Sequence, residues 1–166
     1  MEPTDVLKTV QSHLNSVLSV PVQVNAENNR PVPAVLIENW DIDDVQLHNT
    51  RYLYSEYSGG EEVARIHHVP FELRISFLLR HDSAFESSSL HDDLRDELLR
   101  LETDPTRLSD EVGTVRMDGG GGVSYQYADP TEVEATQAAT FYAAQSYRWT
   151  DFDTIETIDF DVEITI

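Results

Sequence analysis

The 166-residue sequence contains no cysteine and only one lysine, Lys8. Without cysteine there are no disulfides and no thiolate metal sites. Without more lysine, and with just ten arginines beside it, the chain cannot carry the basic stripe of a general DNA-binding surface. No apolar run approaches the roughly 20 residues a membrane-spanning helix needs, so no membrane partner is expected. The opening MEPTDVLKTV has neither the basic nor the apolar region of a secretory signal, and none is expected there. Glycine is scarce as well, and all seven copies fall in segments that read as turns.

What the chain has in abundance is acid. Thirty-one Asp and Glu face eleven Lys and Arg, a formal net charge of −20. In dilute buffer that charge repels itself and favours expansion. In molar salt, where the Debye length falls to about 3 Å, the repulsion is screened. The acids are spread over every segment rather than gathered in a tail. This acidic, lysine-poor character resembles that of proteins from salt-accumulating haloarchaea. Length and a 40% apolar fraction predict one globular domain, residues 1–166, with a single core.

Periodicity divides the chain further. Val6, Leu7, Val10, Leu14, Val17 and Leu18 make an apolar stripe, predicting a helix over Asp5–Leu18 with Thr4 or Asp5 as its cap and Pro21 beyond its end. Val20, Val22 and Val24 alternate as a short strand, and VPAVLIENW (32–40) reads as a second. Gln46–Tyr57, the Gly59-Gly60 turn and a strand from Val63 through Leu79 predict a two-stranded arm projecting from the sheet. Pro70 within it fits a sheet edge or a bulge. Phe71, Leu73, Ile75, Phe77 and Leu79 give the long strand an apolar face. Leu90, Leu94, Leu98 and Leu101 then mark a helix over Ser89–Leu101, with Ser87–Ser89 as caps and Asp104-Pro105 closing it. Thr114–Met117 and VSYQY (123–127) read as strands around the loop DGGGG. In 131–149 alanine allows helix, whereas Thr, Phe, Tyr and Trp favour strand, which we assign to Ala138–Trp149. Ile158, Phe160, Val162, Ile164 and Ile166 alternate with Asp159, Asp161, Glu163 and Thr165 as a last, half-buried strand. The fold class is α+β: a mostly antiparallel sheet with two helices on one face and a projecting β-arm.

Catalytic patterns do not stand out. DGGGGVSYQY lacks the lysine and the following helix of a phosphate loop. Ser87–Ser89 lie near His81 and His91, the ingredients of a small hydrolase built on His81, Ser89 and His91, but serines just before a helix are better explained as caps. Adjacent His67 and His68 point to opposite faces of a strand and do not share an ion. Acid pairs such as Asp151/Asp153 recur by chance among so many acids. No catalytic residue, metal site or cofactor is therefore assigned. Tyr52, Tyr54 and Tyr57 on the arm are candidate subunit-interface residues, because tyrosine buries a large area with few rotors.

The order of elements resembles that of tail terminator (tail completion) proteins of long-tailed phages and their archaeal virus relatives. The match runs from Asp5 to Ile166: an amphipathic helix, a strand pair with an arm, a long strand VPFELRISFLLR feeding the helix SLHDDLRDELLRL, and a last alternating strand. The glycine run and 131–149 are not accounted for by it. The resemblance implies a structural virion protein, not an enzyme. It would form a homo-oligomeric ring, a hexamer, that caps the tail tube protein and meets head-completion or neck proteins. DNA would pass the lumen without specific binding, and Asp159, Asp161 and Glu163 are candidates for a lumen or a solvated acidic face. The location implied is the virion neck, assembled in the host cytoplasm. The alternatives are a head-completion (connector) protein of the same neck and, from a different class, the hydrolase above.

Overall fold

A computed structural model describes residues 1–24, 32–44, 52–118, 126–129 and 132–150. The predicted C-terminal strand, with Asp159, Asp161 and Glu163, and the glycines of DGGGG lie outside the described residues.

The first helix, α1, spans Pro3–Val17 and starts two residues earlier than the polar caps predicted. Pro3 stands in its first turn, where a fixed φ suits the helix and a missing N–H costs nothing. Glu2 is the N-cap and makes no side-chain cap bond, so Thr4 and Asp5 lie inside the helix. Val6, Leu7, Val10 and Leu14 are buried as the stripe requires.

The described residues form a sheet of seven strands: β1 Val22–Val24, β2 Ala34–Asp44, β3 Tyr52–Ser58, β4 Glu61–His81, β5 Val112–Met117, β6 Gln126–Asp129 and β7 Glu132–Trp149. The main order is β1-β2-β4-β7-β5, with β3 on β4 and β6 on β7. Among the described residues only β1 and β2 run parallel. β1 is also held from α1. Asn15 accepts from the Val22 N–H at 2.8 Å through Oδ1, and Asn15 Nδ2 and Gln11 Nε2 donate to the Val22 carbonyl at 3.0 and 3.1 Å.

β4 is the spine of the molecule. Phe71, Leu73, Ile75, Phe77 and Leu79 form one core cluster with the α1 stripe and with Leu90, Leu94, Leu98 and Leu101 of the second helix, so both helices lie on the same face. The other face bears only a small cluster of Ala34, Leu36 and Leu78.

Pro70 sits within this long strand, opposite Ala144 of β7. The backbone explains the tolerance. The Ala144 carbonyl accepts from the Met1 ammonium at 3.0 Å, so it points away from β4. In antiparallel pairing the facing residue also turns its own backbone groups away. Pro70 therefore directs its missing N–H to the opposite side. There β2 ends opposite Phe71, β3 begins opposite His68, and no described residue pairs with Pro70.

The second helix, α2, spans Ala84–Thr103 rather than Ser89–Leu101. Its cap is Ser83, whose Oγ accepts from the Glu86 N–H. Ser83 and Glu86 have the Ser-x-x-Glu spacing of a capping box. Ser87, Ser88 and Ser89 are thus helix interior and not caps. Asp92, Asp93 and Asp96 fall at mid-helix. Asp104 is the C-cap, and a 3-10 turn, Pro105–Arg107, follows it.

All of Glu132–Trp149 is strand. Val133, Ala135, Ala139, Phe141 and Ala143 are buried at period two. Alanines on the covered face leave room for the helices that cross it.

Candidate interaction surface on the arm

Among the described residues, none of the main core comes from Tyr54–Ser58 of β3, from Glu61–Pro70 of β4, or from Ala144–Trp149 of β7. These segments form an arm extending past the helix-covered body. Ten residues of β4 at about 3.3 Å each give a reach of roughly 30 Å. The expected two-stranded arm has three strands at its base, because β7 pairs with β4 as far as Arg65↔Trp149. Gly59 and Gly60 close its tip with φ of 62° and 90°. Positive φ at both central residues is what a two-residue hairpin loop needs.

One face of the arm is stapled across all three strands. Arg148 of β7 donates to Glu56 Oε2 of β3 through Nε at 3.2 Å and Nη2 at 2.9 Å. Ala64 and Ile66 of β4 lie between them in register and are buried. Tyr54 stacks on His68 with ring centroids 5.4 Å apart, and His68 Nδ1 shares a 2.7 Å hydrogen bond with Ser146 Oγ.

The other face has a different chemistry. Arg65 grips Glu62 with two parallel bonds, Nε to Oε1 at 2.9 Å and Nη2 to Oε2 at 3.0 Å, and Ser55 Oγ donates to the same carboxylate. The Arg65 hydrogen bonds, then the Ser55 hydroxyl, hold the Glu62 carboxyl down from 4.5 to about 2. Bidentate charge-assisted bonds favour the ionised form. Beside them His67 meets Trp149 at 5.8 Å. As alternation predicted, His67 and His68 serve opposite faces.

The tyrosines named from the sequence do not form one patch. Tyr52 is a β3 residue in register with His68. Tyr54 and Tyr57 are 48% and 68% exposed but three residues apart on a strand, hence on opposite faces. The register shift near Glu56/Tyr57 puts its extra residue on β4, so the alternation of β3 is unbroken. Tyr147 and Trp149, 42% and 41% exposed, complete the aromatic surface from β7. The signal for them was their spacing of two, which puts both on one face at the end of a strand too polar there to belong to a core. At the arm's root a shallow depression of about 420 Å³ is lined by Pro70, Phe71, Gly113, Tyr142 and Ala144, among others.

The hydrolase residues are not brought together. His81 Nδ1 faces Asp82 Oδ1 at 2.7 Å, Ser89 is exposed, and His91 is buried. Ser89 and His91 are two positions apart on α2 and point to different sides. Ser87 is fully buried, with no partner for its hydroxyl among the described residues. Among the described residues no three His, Asp or Glu gather as a metal site, and no helix is long and apolar enough to cross a membrane. No protein-family model matches the chain, and no curated protein matches it.

Proposed function

We propose that this chain is a ring-forming structural subunit of a virion, a tail terminator protein at the neck of a tailed virus whose host accumulates salt. The observation that carries the reading is the arm: a stapled three-stranded extension that leaves the core and exposes Tyr54, Tyr57, Tyr147 and Trp149 on its two faces. Aromatic side chains held on a preorganised scaffold are the usual anchors of protein interfaces. Two unlike faces suit a subunit whose neighbours contact it through different patches, the heterologous arrangement that closes rings. The apolar depression at the arm's root is a ready acceptor for part of a neighbouring arm. In this reading the tail tube protein binds one side of the ring and head-completion or neck proteins the other. DNA passes through a lumen whose acidic surface repels phosphate.

Light scattering in about 2–3 M KCl, where the charge is screened, should give the mass of a hexamer. The ring should bind assembled tail tube. A strict monomer that ignores tail tube overturns the proposal.

A further inference from the structure

One surface feature stands apart from the arm and from the acidic character of the rest. The chain's only lysine lies on α1, and Lys8, Thr9, Ser12, His13 and Ser16 of that helix, with Leu108, line an open groove of about 460 Å³ beside the 3-10 turn. Lys8 and Ser12 are four apart, Thr9 and Ser12 three, and Thr9 and His13 four, so their side chains share one helix face.

The groove is supported from below. Glu97 of α2 is 4% exposed and lies behind His13, with Nε2–Oε1 at 2.7 Å. Arg107 Nη2 donates to the same Oε1 at 3.4 Å, and Arg100 Nη1 to Oε2 at 3.5 Å. A carboxylate only accepts, so the short contact places a hydrogen on His13 Nε2. The imidazole is thereby oriented, leaving Nδ1 as the nitrogen that Glu97 does not occupy. Glu97 itself is satisfied by two guanidinium groups and the His13 ring N–H and adds no unpaired negative charge at the base of the groove. Among the described residues Lys8 is engaged only by Asp5, at 3.6 Å on an exposed helix turn. Such a contact is worth little, and a ligand displaces it readily. The Ser16 hydroxyl is spent on the His13 carbonyl, whereas those of Thr9 and Ser12 make no hydrogen bond among the described residues.

A lysine and two hydroxyls on one helix face, beside an imidazole whose Nδ1 also donates when the ring is protonated, are the donor set of an oxyanion site. We propose that this groove binds a small oxyanion of the carboxylate or phosphate class, with Lys8 supplying a charge-assisted bond, Thr9 and Ser12 orienting the ligand, and His13 Nδ1 adding a second charge-assisted bond when the ring is protonated. The site does not depend on the ring reading, since it lies on the helix layer and uses none of the arm. The oxyanion is either free in solution or an acidic side chain of another protein molecule.

The test is a titration of the full-length chain with inorganic phosphate at constant ionic strength, following the His13 ring resonances by NMR. A saturable shift with Kd on the order of 1 mM is expected. Lys8→Gln should weaken binding about tenfold, and Thr9→Val with Ser12→Ala several-fold, while the fold, read by circular dichroism, is retained. A short poly-glutamate peptide that binds the same site more tightly than phosphate assigns the oxyanion to a protein partner. Binding of phosphate alone assigns it to a free ion. No saturable His13 shift with either probe, or an unchanged shift in Lys8→Gln, overturns the site.

Discussion

The same two strands, β4 and β7, run through two regions held together by different forces. In the body, every second residue of β4 from Phe71 to Leu79 enters a core roofed by two helices. In the arm, that roof is missing, and the strands are joined by Glu56–Arg148, Ser55–Glu62, His68–Ser146 and two ring contacts. Burial is non-directional and grows with area, whereas a hydrogen-bonded staple depends on a few atoms in fixed geometry. The body should therefore respond to lost volume, and the arm to lost geometry or lost contact with another molecule.

The largest effect belongs to the body. Phe77 is 1% exposed at the centre of the core, so Phe77→Ala removes both transfer energy and packing. It should cost about 3–5 kcal/mol. For a chain of this size the melting temperature, measured by circular dichroism in molar KCl, should fall by roughly 10 °C. A drop of only a degree or two means that the helices do not seal this face.

In the arm, paired Tyr57→Ala and Trp149→Ala changes should do the reverse. Tyr57 is 68% exposed and should move subunit stability by no more than about 0.5 kcal/mol, whereas Trp149, 41% exposed and in contact with His67, should cost about 1 kcal/mol. If these aromatics anchor the ring, each site should cost about 2 kcal/mol of association, and sedimentation should show the ring falling to smaller species. An intact ring in the double variant removes the aromatics from the interface, and an unfolded one contradicts the separation of arm from body.

The body was largely legible beforehand because burial leaves a period in the residues. Alternation in 71–79 and the leucine spacing in 90–101 carried both the fold class and the covered face. The start of α2 was misjudged because the run Ser87–Ser89 drew attention from Ser83 and Glu86, whose spacing alone marks the cap. The stretch 131–149 read ambiguously because alanine suits a helix by propensity and a strand by size when a helix lies on top of it. The arm was legible only as an outline. Its staples join residues as far apart as Glu56 and Arg148, and only the β4–β7 register makes them neighbours. The split between Tyr54 and Tyr57 was already present in their odd spacing.

The smallest effect is the most selective for how the arm is held. The Glu62 carboxyl is lowered from 4.5 to about 2, first by the Arg65 hydrogen bonds and then by Ser55, with charge attraction to Arg65 the least of the causes. A carboxyl with a depressed folded pKa contributes stability that is fully present above about pH 4.5. That stability is lost as pH falls toward and through about 2. Followed by NMR of its side-chain carboxyl, Glu62 should remain ionised at a pH where ordinary surface carboxyls are already protonated. Arg65→Gln should return its midpoint toward 4.5. Molar KCl separates the causes, since it screens charges beyond about 3 Å but leaves a direct bidentate contact in place. A depression that survives in KCl and vanishes in Arg65→Gln makes hydrogen-bond geometry the force that holds this face of the arm. One that salt alone abolishes reduces the latch to long-range charge, and the proposed contrast with the body fails at that point.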